Sequence, residues 1–79
     1  MTFRFRNKEF VWLSGGWFAR QVERGAANVY RLYWGVTRPN NRRPLSMTVA
    51  EGRDGRYFDF PDLAAAAAHV RDLATPQVL

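Results

Sequence analysis

Cysteine is absent from this chain and histidine occurs once, as His69. Without thiols, neither a disulfide nor a thiolate metal site can brace the fold. One imidazole does not assemble a metal centre of the usual kind, and a histidine–carboxylate pair without a nucleophile is no catalytic triad. His69, with Asp72 three positions on, therefore reads as a structural or solvated helix residue. Gly15-Gly16 is too short to cradle a phosphate, and Asp59 and Asp62 are spaced for capping a helix rather than for acid–base work. No apolar run approaches the ~20 residues of a membrane span, and the longest uniform stretch is Ala64 to Ala68. The N-terminus lacks the apolar core and small-residue cleavage site of a secretory signal. These absences predict a cytoplasmic, non-enzymatic protein with no cofactor, no metal, no membrane contact and no small-molecule substrate.

Lysine is nearly missing too: of the twelve cations only Lys8 is lysine, and the rest are arginine. Guanidinium forks pair bidentately with phosphate or carboxylate and stack on rings, which an ammonium does poorly. Aromatic residues stop at Phe60, and of the cations only Arg71 lies beyond it. Residues 1–60 carry a net charge of +6 and residues 61–79 a net charge of −1. One end of the fold should then present positive potential, suited to nucleic acid or to an acidic protein face. At 79 residues the chain makes a single domain, 1–79, with a thin core that buries about 60–65% of the unfolded surface. The rings are therefore needed first for folding, because each buries far more apolar area than an alanine.

Period-two patterning dominates the first 58 residues. It predicts strands at Phe3–Arg6, Glu9–Leu13, Trp17–Glu23, Val29–Arg38, Leu45–Glu51 and a short one at Arg56–Phe58. Turns are expected at Ser14-Gly15-Gly16, Arg24–Asn28 and Gly52–Gly55, and a proline-bounded loop at Pro39–Pro44. In the central strand, Tyr30, Leu32, Trp34 and Val36 are expected on the core face, and Val29, Arg31, Tyr33 and Thr37 on the other. Leu45, Met47 and Val49 should point inward, and Ser46 and Thr48 outward. The period then changes. Leu63, Ala66, Ala67, Val70 and Leu73 share one helical face, Asp62 is the N-cap, and Thr75-Pro76 ends a helix of about 62–74 before a short tail. The expected fold is α+β: an antiparallel sheet of four to five strands with one C-terminal helix packed on one face.

Binding residues follow from this layout. Arg31 and Tyr33, beside Ser46 and Thr48, would offer a guanidinium and a ring on the uncovered face. Arg38, Arg42 and Arg43 cluster at one loop, with Arg53 and Arg56 at a turn expected at the other end of the sheet. Trp12, with Phe10 and Trp17, is a candidate anchor for a protein partner. The run from Tyr30 to Val70, with Tyr57-Phe58-Asp59 ahead of the alanine-rich helix, resembles the three-strand-plus-helix layout of AP2-type and integrase arm-binding domains. That resemblance implies DNA contact through Arg31, Tyr33, Ser46 and Thr48. The small chain with its dense arginine–aromatic surface also resembles, as a class, the phage-encoded anti-CRISPR inhibitors of type I effectors. This implies a host nucleoprotein complex as partner, met on acidic protein surface, RNA or DNA in the host cytoplasm. A direct DNA- or RNA-binding domain is the alternative. Many such inhibitors are acidic, and this chain is basic.

Overall fold

A computed structural model describes residues 1–38 and 41–74; Pro39, Asn40 and residues 75–79 lie outside the described residues, as do the side chains of Arg38, Asn41, Arg42, Arg43 and Ala74. Alternation writes the first strand: β1 (Thr2–Phe5) exposes Thr2 and Arg4 and half-buries Phe3 and Phe5. Arg6 and Asn7, at φ of 53° and 66°, reverse the chain into β2 (Lys8–Ser14). A two-residue loop with both φ positive is the type I′ hairpin, whose twist matches that of the strands it joins. Gly15-Gly16 leads into β3 (Trp17–Arg24), Gly25-Ala26 leads into β4 (Ala27–Arg38), and β5 (Asn41–Val49) returns along β4. The five strands form an antiparallel meander in chain order, and the sheet curls until β1 meets β5.

The longest strand, β4, has 12 residues. One edge pairs with β3. The other is divided: Tyr33 to Arg38 pair with β5, while Tyr30 and Arg31 pair with the two-residue β6 (Asp59–Phe60). The chain ends in α1 (Leu63–Ala74). Asp62 caps it as expected, its Oδ1 accepting the Ala65 N–H at 2.8 Å. The helix buries Ala66 and Val70 and lies against β2, β3, β4 and β6. Among the described residues no helix is long and apolar enough to cross a membrane.

Register divides the side chains between two faces. Trp12 lies opposite Phe18, and Phe18 opposite Tyr33, so these three rings share the inside of the curl with Phe3 and Phe10. Phe18 is fully buried and meets Phe3 edge-on at 6.1 Å, and Phe10 meets Tyr33 edge-on at 5.0 Å. Gly35 makes this packing possible: a Cβ there would sit 2.8 Å from the Phe18 ring. The opposite face carries Ala19 and Leu32, both fully buried, and then Trp17 and Trp34, whose rings meet at 4.8 Å.

Three expectations are corrected. Trp34 and Val36, expected in the core, are 46% and 51% exposed, and Leu45 is exposed as well; curling draws the core into the Phe18–Tyr33 face at this end of β4. The proline-bounded loop is shorter than expected, because β5 already begins at Asn41 and buries Pro44. A proline is tolerated there because pairing is irregular next to it, around Val36, Thr37 and Arg38. Finally, the last strand is not Arg56–Phe58 but β6, with Tyr57 making only an isolated bridge to Glu51.

Candidate functional site

The segment Phe58-Asp59-Phe60 follows period two. Phe58 and Phe60 both lie 5.2 Å from the His69 ring on α1, so Asp59 between them turns the other way. It sits opposite Arg31 across the β4–β6 ladder. Cross-strand partners project to the same side, and the two side chains form a fork: Arg31 Nε donates to Asp59 Oδ1 at 2.8 Å and Nη2 donates to Oδ2 at 3.0 Å. The Asp59 side chain is only 5% exposed and that of Arg31 21%. Arg24, at the end of β3, brings a second guanidinium to 3.6 Å from Asp59 Oδ2. The hydrogen bond to Asp59 is the main influence on the Arg31 pKa and raises it above the ordinary guanidinium value, against desolvation, which lowers it.

Arg31 also holds a ring. Its Cζ lies 4.4 Å over the centre of Tyr57, within the range of a cation–π contact. Tyr57 remains 44% exposed. Gly55 and Arg56 come from the turn just before it, where Gly52 N–H donates to Arg56 O at 2.8 Å. Arg56 lies 3.6 Å from Asp54, and both are largely exposed, a pairing that contributes little in water. Together Arg24, Arg31, Gly55, Arg56, Tyr57 and Asp59 line an open cleft of about 600 Å³. Its floor is an ion pair fixed by two strands, and its rim carries two cations that remain available.

The predicted residues are distributed differently. Arg31 is in the cleft, where it serves Asp59 and Tyr57 rather than lying bare. Tyr33 is inside the curl, where Arg20 Nη1 reaches its hydroxyl at 3.5 Å. With Phe5, Arg6, Lys8, Phe10 and Met47 it lines a smaller cavity of about 210 Å³. Ser46 and Thr48 lie opposite Val36 and Trp34, on the other face from Arg31 and Tyr33, so the expected four-residue surface does not form. Trp12 is half-buried, and its indole N–H donates to Gly15 O at 2.8 Å, closing the β2–β3 hairpin. The backbones of Arg38, Arg42 and Arg43 belong to the paired ends of β4 and β5; their side chains lie outside the described residues. In a meander, alternate turns lie at opposite ends. The Arg38–Arg43 group therefore shares its end with Gly15-Gly16, while Arg24 lies at the far end of β4, beside the Gly25-Ala26 turn. The seven residues from Arg31 to Arg38 span about 23 Å of strand.

No family model, curated protein or solved structure matches this chain. Sequence reading did not single out Arg24 and Tyr57 as binding residues, and it assigned Asp59 to capping. One signal was present: an acid between two phenylalanines in an alternating segment is turned away from their apolar side, and a buried acid needs a cation.

Proposed function

We propose that this chain is a small non-catalytic binding protein that docks on a nucleoprotein complex and blocks it sterically, as its resemblance to phage-encoded anti-CRISPR inhibitors of type I effectors implies. The observation that carries this reading is the placing of the cations. Arg24 and Arg56 have side chains 69% and 85% exposed, grouped around an Arg31 fork held by buried Asp59. Fixed guanidinium groups recognise phosphate oxygens with geometric selectivity. In this reading α1 covers one face of the sheet through Ala66 and Val70, and contacts fall to the two ends of β4. Arg38, Arg42 and Arg43 supply the second cationic group, and Trp12 strengthens their end of the sheet. The compartment is the host cytoplasm, where such complexes act.

Affinity capture from cells that carry a type I CRISPR effector tests the proposal. The protein is expected to recover effector components and to impair interference against phage. Recovery of none, with interference unimpaired, overturns it. Converting Arg24 and Arg56, or Arg42 and Arg43, to Glu is expected to weaken capture while leaving the melting temperature nearly unchanged.

A direct nucleic-acid-binding domain is the second reading, favoured by the exposed Tyr57 ring beside two cations. It predicts mobility shifts with free DNA or RNA at low salt. Contact with about four phosphates gives a log–log salt slope of roughly −3 to −4.

A further inference from the structure

We infer that the Arg24–Arg56–Tyr57 cleft is a seat for one nucleotide unit of a single strand, with its phosphate on Arg24 and Arg56 and its base stacked on Tyr57. The inference rests on the reading that the partner surface includes nucleic acid. Four observations lead to it. First, the donors of Arg31 that face the cleft floor are taken: Nε and Nη2 both go to Asp59. Arg31 is thus a positioning residue, and its remaining contact is the Tyr57 ring. Second, Arg24 and Arg56 approach their own carboxylates only at 3.6 Å. That is beyond a good hydrogen bond, so their donors can turn to a phosphate at little cost. Third, Tyr57 stays 44% exposed although a guanidinium covers part of it. A cation on one face and open surface elsewhere make it a platform that accepts any base. Fourth, the cleft of about 600 Å³ falls in the usual range of ligand sites, and Gly55 adds no side chain to fill it. Asp59 does not repel the phosphate strongly, because its carboxylate is buried against Arg31 and Arg24.

A stacked base must be unpaired, so the cleft separates single strands from duplex, whereas bare cations do not. The full chain is titrated by fluorescence anisotropy with a labelled oligothymidylate and with a hairpin duplex. Tyr57→Ala is expected to weaken single-strand binding about tenfold, the loss of one stack, and to leave duplex binding unchanged. Tyr57→Phe is expected to bind like the parent. Arg24→Gln with Arg56→Gln is expected to weaken both and to reduce the single-strand salt slope by about 1.4. As a second readout, the ring protons of Tyr57 should shift on titration with the oligothymidylate. Binding by the parent chain with no loss in Tyr57→Ala, or with no shift at Tyr57, overturns the seat and leaves the nucleic-acid reading intact. Equal affinity for duplex and single strand also overturns it. No binding of either probe at low salt overturns the nucleic-acid reading and the seat together.

Discussion

Asp59 is the residue on which the cleft depends. It is a carboxylate almost out of water, and a buried charge persists only when paired and hydrogen-bonded. Arg31 provides the pairing from the neighbouring strand. Arg31→Ala is therefore expected to destabilise the protein by about 3 kcal/mol, measurable by urea unfolding, because Arg24 at 3.6 Å replaces the fork poorly. Arg31→Lys should recover only part of the loss, since an ammonium cannot match both carboxylate oxygens. A loss under about 0.5 kcal/mol for Arg31→Ala, the range of an ordinary surface change, would show that the fork is not structural. The pH response of this group follows from the sign of its shift. Its pKa is raised, so its contribution is complete below the ordinary guanidinium value and fades only as pH rises through the raised one. Across the usual buffer range Arg31 itself should leave stability flat. That Arg31 mattered was legible from alternation along β4. Its role was not, because Asp59 lies 28 positions away and only pairing of β6 with β4 brings them together.

At the scale of elements, the hairpins were the most readable part of the sequence. Alternation at Phe3 to Arg6 and the glycines at 15 and 25 announce turns and strands through local physics alone. The Arg6-Asn7 turn was missed because arginine rarely occupies positive φ, yet both residues do so here. Converting the pair to Asn-Gly, which fits a type I′ turn without strain, is expected to raise stability by about 1 kcal/mol; thermal melting checks this. No change would mean that the Arg6 guanidinium, 5.3 Å over the Phe5 ring, compensates for the strain. Strand faces were less readable than strands. Trp34 and Val36 alternate as core residues should, but alternation does not say which face a curl encloses. Gly35 decided that, by admitting the Phe18 ring at a close approach.

The whole molecule joins two kinds of contact. Its five long strands pair with their chain neighbours, while β6 and α1 come back to a strand completed long before. The α+β class and the C-terminal helix were legible because the change of period at Pro61-Asp62 is local. The closing of β1 on β5 was not, since no short-range pattern encodes it. This division bears on the order in which the protein folds. Neighbouring hairpins close over short loops, whereas joining Asp59 to Arg31 closes a long one at greater entropic cost. The meander should therefore form ahead of the rate-limiting barrier and the C-terminal segment should dock after it. Val70→Ala, at a position 1% exposed, is expected to cost about 2 kcal/mol, and to express that cost in faster unfolding, by roughly tenfold or more, with refolding little changed. A chevron in which the folding limb slows instead would put the helix in the nucleus. If the helix docks late, the divided edge of β4 is also a kinetic seam: the half bound to β5 holds while the half bound to β6 opens and closes, and the cleft around Asp59 exists only during the closed intervals.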